Sequence, residues 1–250
     1  MAKQDGIILL EGTLGGVNFY FREGEALARR AGGGFTREAI KEGENMVKVR
    51  ESNSEFAMCS QVNKVFKQAI QPFLSGYKDG TLHHRLMQLF LKIKDCDLIS
   101  ERGKRSVHQG IFLKTGKQLL QDFIFNPQRP TILSCPYGFD WDTLTFKVNE
   151  FKVKETRFPD GADYMELVIG LTRFDFESLA YQRVLSEPMD ISRDFKEDSF
   201  EILLAELPKG NGILFSSVRV SFYQTVNGKS CLLLEEDAFG VEVLAVWEGA

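Results

Sequence analysis

Three kinds of side chain in this sequence have the chemistry for a site: clustered carboxylates, three histidines and four cysteines. The acids fall together as Asp140/Asp142, Asp160/Asp163, Glu197/Asp198 and Glu235/Glu236/Asp237. The first pair flanks Trp141. An indole beside two carboxylates suits glycan recognition, where the ring stacks on a sugar face and the acids take its hydroxyls. Trp141, Asp140 and Asp142 are therefore the candidate ligand contacts. A calcium loop needs several more oxygens at set spacing, and none is visible around this pair. The competing reading is solvated acids on loops.

The histidines are His83, His84 and His108. Neighbours on a helix point about 100° apart, so His83 and His84 do not share a metal as a HisxxxHis pair would. Cys59, Cys96, Cys135 and Cys231 form no CxxC pair, and read as buried lone thiols of a reducing compartment. No phosphate loop of the GxxxxGK[ST] type and no GxSxG elbow is present. Gly32-Gly33-Gly34 lacks the strand-to-helix setting of a dinucleotide fingerprint. Neither a metal nor a cofactor is expected.

The elements that must position these groups follow from periodicity. Val17, Phe19 and Phe21 alternate with Asn18, Tyr20 and Arg22, and turn signals at Gly15-Gly16 and Glu23-Gly24 predict a β-meander over 6–30. Two or three strands are marginal alone, so this piece must lie on something. Residues 36–74 predict helix, with Val49, Phe56, Cys59, Asn63, Phe66, Ile70 and Phe73 as one stripe with a single polar member. A second helix runs from about Thr81 to Ile93. The stretch 94–118 reads as a polar, basic loop. From Thr131 onward, short apolar or alternating runs predict strands over 143–153, 164–176, 200–207, 214–226, 231–235 and 241–247. Asn227-Gly228 between two such runs is the strongest hairpin signal in the chain. The expected fold is α+β: a meander and helical hairpin over 1–130, then an antiparallel immunoglobulin-like β-sandwich over 131–250.

Several of these segments also carry a resemblance. Gly12-Thr13-Leu14-Gly15-Gly16-Val17-Asn18-Phe19-Tyr20, then Arg50-Glu51-Ser52-Asn53-Ser54-Glu55-Phe56, then Val220-Ser221-Phe222-Tyr223-Gln224-Thr225-Val226-Asn227-Gly228-Lys229 resemble, in that order, a family of uncharacterised bacterial and phage-associated proteins. The resemblance runs nearly end to end, the middle, 75–130, excepted. It implies a cytoplasmic, non-catalytic protein with a phage or particle context, and it carries over no site residues.

Composition narrows the function further. The 250 residues are 43% hydrophobic and 26% charged, ordinary for a folded chain, and no apolar run approaches the roughly 20 residues of a membrane span. The N-terminus has no signal-peptide pattern. Phenylalanine is in excess, with 21 Phe against 6 Tyr and 2 Trp, and reads as core filler. Residues 1–130 hold 20 basic and 14 acidic side chains, and 131–250 hold 11 and 21. A basic and an acidic half attract between copies if those faces are exposed. The basic stretch lacks the interleaved aromatics of a single-strand platform and the chain is acidic overall, which disfavours nucleic acid. The reading is a non-enzymatic structural or interaction protein whose partner is a copy of itself, located in the cytoplasm or assembled into a particle, with a phage or virion component as its specific form. The alternative is a glycan-binding sandwich using Trp141.

Overall fold

Alternation in the first thirty residues does produce strands. In the computed structural model, which describes residues 2–32 and 36–247, β1 (Ala2–Lys3), β2 (Gly12–Leu14), β3 (Val17–Arg22) and β4 (Glu25–Arg30) form one antiparallel sheet. Its order is β1-β4-β3-β2. Gly15 and Gly16 at φ 57° and 78° close the β2–β3 hairpin, and Glu23 and Gly24 at 53° and 82° close β3–β4. Such two-residue turns with both centres left-handed match strand twist. Gly33 and Gly34, within the expected glycine break, lie outside the described residues. Thr36 caps α1 (Arg37–Glu42), its Oγ1 accepting from Ala39 N at 3.1 Å. A single 3₁₀ turn then leads into the long α2 (Val47–Ala69).

The chain divides into two compact units between Asn53 and Ser54. The division expected near 130 is not found there, because the helices of 54–130 share one apolar core with strands from the C-terminal half. Cut at 53/54, the charge asymmetry disappears: 8 basic and 8 acidic residues precede the boundary, and 23 and 27 follow it. The basic and acidic halves are therefore not separate bodies.

In the larger unit α2 is followed by α3 (Leu82–Asp95), α4 (Val107–Phe112) and α5 (Lys114–Gln121). The expected loop over 94–118 thus contains two short helices. Its polar texture and two glycines hide them from a periodicity argument. The glycines explain the packing: a Cβ on Gly110 would stand 1.9 Å from Ile93 O, and one on Gly116 2.0 Å from Gly110 O. Backbone approaches backbone where no side chain fits.

The strands are β5 (Tyr137–Asp140), β6 (Thr145–Val148), β7 (Tyr164–Phe174), β8 (Tyr181–Leu185), β9 (Met189–Ser192), β10 (Phe200–Leu203), β11 (Ile213–Val226), β12 (Lys229–Leu232) and β13 (Phe239–Val246). One sheet orders as β12-β11-β7-β8, with β13 also on β11 and β9 on β7; the other is β10-β6-β5. The strand pairings are antiparallel, so the chain is α+β with antiparallel sheets. Asn227 and Gly228, at φ 52° and 74°, close β11 onto β12 as the sequence predicts. The sequence reading missed β5, β8 and β9. Tyr181–Leu185 is mostly exposed, so no buried face stamps a pattern on it.

β7 and β11 are buried on both faces. Leu167, Ile169, Leu171, Val218 and Val220 join Phe146, Val148, Phe200 and Ile202 of the smaller sheet in one cluster. Phe174, Ile213 and Phe215 join Phe66, Phe90 and Ile93 of the helices in another. Phe66 lies at its centre, 5.2 Å from the Phe90 ring and 5.5 Å from Phe174, both edge-on. The stripe's polar member, Asn63, is fully buried and donates through Nδ2 to His83 O at 3.0 Å. Phe56 departs from expectation: it is 53% exposed. Residues 55, 59, 62, 63, 66, 69 and 70 are buried, and at about 100° per residue Phe56 falls at the flank of that face.

Candidate functional site

The Trp141 turn joins β5 to β6. Asp140 closes it from inside: Oδ1 accepts from Asp142 N at 3.0 Å and Thr143 N at 3.4 Å, and Oδ2 accepts from Lys147 Nζ at 2.7 Å. The Lys147 ammonium, with these turn amides, holds the Asp140 carboxyl down at about 2. The indole turns elsewhere, edge-on to Phe139 at 4.8 Å and to Trp247 at 5.1 Å. The structure therefore joins Trp141 to two other aromatics, while Asp140 is committed to the turn and Asp142 points into solvent. Trp247, near the far end of the chain, could not be tied to Trp141 by spacing.

The other reactive groups are held by structure. His83 Nδ1 lies 3.2 Å from Asn63 Nδ2 and 3.3 Å from Lys67 Nζ, so it faces two donors. Among the described residues no three His, Cys, Asp or Glu side chains converge as a metal-sized group. Of the cysteines only Cys59 is fully buried, and burial pushes its thiol up to about 11. Cys96 and Cys135 are half-buried and Cys231 is exposed, against the expectation of four buried thiols.

The segments Gly12–Tyr20, Arg50–Phe56 and Val220–Lys229 are turns and anchors. Gly12–Tyr20 contains the β2–β3 turn and Val220–Lys229 the β11–β12 turn. Within Arg50–Phe56, Arg50 Nη1 donates to Ile40 O and Gly43 O, each at 2.8 Å. Glu55 is 3% exposed and is saturated. It accepts from Arg105 Nε and Nη2 at 2.9 Å each, Lys94 Nζ at 2.9 Å and Gly103 N at 2.7 Å. The bidentate Arg105 guanidinium, joined by Lys94 and the Gly103 amide, holds the Glu55 carboxyl at about 2 against an ordinary 4.5, in spite of the opposing cost of burial. Charge-assisted bonds of this kind are the strong ones. Asp97 adds bonds from Ile99 N, Ser100 N and Ser106 N. The loop between α3 and α4 is thereby fixed, with Leu98 and Ile99 on its outside.

The surface with most to explain is in the first unit. Register places Leu14, Val17, Phe19, Phe21, Ala26 and Ala28 on one face of the four-stranded sheet, with Arg30 opposite Val17 at its end. The other face carries Thr13, Asn18, Tyr20, Arg22, Glu25, Leu27 and Arg29. No residue of these four strands is buried, on either face. Leu14 is 69% and Phe21 46% exposed. Beside them, the loop 5–9 carries Ile7 and Ile8 fully outward. Its base is clamped by the Gln4 side chain: Nε2 donates to Leu10 O at 3.1 Å and Oε1 accepts from Leu10 N at 2.8 Å. An apolar loop held this firmly is shaped, not frayed. The sequence showed the alternation that makes this face, but not that its strands would hold no buried residue.

No family model, curated protein or solved structure matches this chain.

Proposed function

We propose that the protein is a non-enzymatic structural or interaction component that assembles with copies of itself through the apolar face of its N-terminal sheet. The carrying observation is that face: Leu14, Val17, Phe19, Phe21, Ala26 and Ala28 together, with no buried residue in any of the four strands. Sheets of so few strands need a covered face for stability, and contiguous exposed apolar patches mark association surfaces. A second copy supplies the same face, and two such sheets pack about 10 Å apart as a sandwich. The face has one cation and no acid, so apolar burial drives the contact and charge does not. On this reading the protein is a phage or virion-type particle component, acting in the cytoplasm or within the assembled particle. We read the two facing C-terminal sheets as a sandwich of immunoglobulin-like type, with helices laid on the outer face of the larger sheet.

Size-exclusion chromatography with light scattering tests the assembly. The full chain runs as a defined oligomer at 0.1 M and at 1 M NaCl alike. Charge-held contacts loosen as the Debye length falls from about 10 Å to about 3 Å, whereas apolar burial does not depend on screening. A monomer at both salts, well above micromolar concentration, overturns the proposal.

A second reading has one observation behind it. The Phe139–Trp141–Trp247 corner leaves Trp247 40% exposed, a surface on which a sugar ring can stack. Retention on immobilised glycans that Trp141→Ala abolishes would favour it.

A further inference from the structure

Arg129, in the segment after α5, is a buried cation. Its side chain runs over Gly240, where a Cβ would stand 3.0 Å from Arg129 Cδ, a tight contact that glycine avoids. The residue is 7% exposed. Its Nε donates to Asp237 O and its Nη2 to Arg157 O, each at 2.6 Å, and its guanidinium lies 4.5 Å from the Phe222 ring. All its bonds go to backbone carbonyls. Among the described residues no carboxylate reaches ion-pair distance of Arg129, and Nη1 donates to no protein atom. Burial pulls the guanidinium down to about 10, which leaves it fully charged at neutral pH. A buried charge without a counter-ion is costly, and cation–π contact offsets only part of that cost.

Arg129 also lines a cavity of about 140 Å³, shared with Thr131, Ser134, Thr156, Arg157 and Asp237. Arg157 Nη2 bonds Asp237 Oδ2 at 3.0 Å. The wall thus holds two guanidiniums against one carboxylate, and that carboxylate is already engaged. Among the described residues the hydroxyls of Thr131 and Ser134 have no hydrogen-bond partner. The volume is below the roughly 300–1,000 Å³ of drug-sized sites, so it takes one small group.

We propose that this cavity binds a phosphoryl group, held by Arg129 Nη1 and Arg157 with hydroxyl donors from Thr131 and Ser134. Donors arriving from two segments of the chain suit a tetrahedral oxyanion, and the anion supplies the counter-charge that Arg129 lacks. Bidentate or paired guanidiniums are the usual phosphoryl partners. Asp237 is the gate on affinity, because it competes for Arg157. The phosphoryl group comes either from free phosphate or from a phosphorylated side chain of another protein.

Isothermal titration of the full-length protein with inorganic phosphate, and separately with a phosphoserine peptide, tests this. Wild type binds at least one of the two. Asp237→Asn binds it about tenfold more tightly, and Arg157→Gln about tenfold more weakly. Circular dichroism and thermal melting check that both variants fold. Tighter binding of the peptide assigns a phosphorylated partner as the source; equal or tighter binding of free phosphate assigns the free anion. Binding of neither by wild type, or binding that appears only in Asp237→Asn, overturns the proposal.

Discussion

The four-stranded sheet of residues 2–30 and the six-stranded sheet of residues 164–246 are both antiparallel, and they end in opposite states. In each a hairpin is closed by a two-residue turn with left-handed centres, but the small sheet alternates in β3, whereas β7 carries the run Leu167-Val168-Ile169-Gly170-Leu171 and β11 opens on Ile213-Leu214-Phe215. In the larger sheet β7 and β11 are buried between helices and a second sheet. In the smaller one no strand residue is buried. Antiparallel pairing therefore makes the sheet, but only a partner layer makes the core.

Phe66→Ala sharpens the comparison most. Its ring is fully enclosed, so the truncation should cost roughly 3–5 kcal/mol in chemical denaturation. Phe56→Ala, on the same helix but exposed, should stay within about 0.5 kcal/mol. Equal losses at the two sites would show that the buried face of α2 is wrongly assigned.

Glu55 gives the next largest effect, and it has a pH signature. Its carboxyl sits at about 2 in the folded protein against an ordinary 4.5. A lowered folded value means that the stabilisation is complete above pH 4.5. It drains away as pH falls from there towards 2. The difference corresponds to about 3 kcal/mol. Glu55→Gln should lower stability by a similar amount at pH 7 and flatten the acid limb of the curve. An unchanged acid limb would show that Arg105 and Lys94 do not hold this carboxylate in solution.

Gly228→Val comes third. At φ 74° a β-branched residue is strained, at a cost on the order of 1–3 kcal/mol. No shift in the unfolding midpoint would show that the β11–β12 turn yields readily. Phe21→Glu has the smallest effect on the folding of a single chain, a few tenths of a kcal/mol, because the ring is half exposed. It should nevertheless dissolve the oligomer seen by light scattering. A variant that assembles like wild type would break the comparison.

Much of this fold is legible in the sequence wherever a period, an apolar run or a turn residue marks the element. The long α2, the strands β7 and β11 and the Asn227-Gly228 turn all follow from period and turn chemistry. What is hidden has physical reasons. α4 and α5 use Gly110 and Gly116 for backbone contact, and glycine lowers the helical signal while making the packing. Residues 54–130 belong with the C-terminal strands because Phe66 meets Phe174 and Phe215, a long-range contact that local pattern does not encode. The same holds for Trp141 beside Trp247, and for Arg129 over Gly240 and Phe222. Glu55 looks like one more helix-surface acid until Arg105, fifty positions on, folds back on it. The apolar face of the first sheet was visible residue by residue; that its strands hold no buried residue was not.

Hydrogen–deuterium exchange as a function of protein concentration tests the central claim most directly. Residues 12–30 should exchange quickly in dilute solution and gain protection as concentration rises and copies cover the sheet. Residues 213–226, already buried within the chain, should be protected equally at every concentration. Fast exchange of 12–30 at all concentrations, beside a protected β11, would contradict the account and leave the N-terminal sheet without a second copy as its partner.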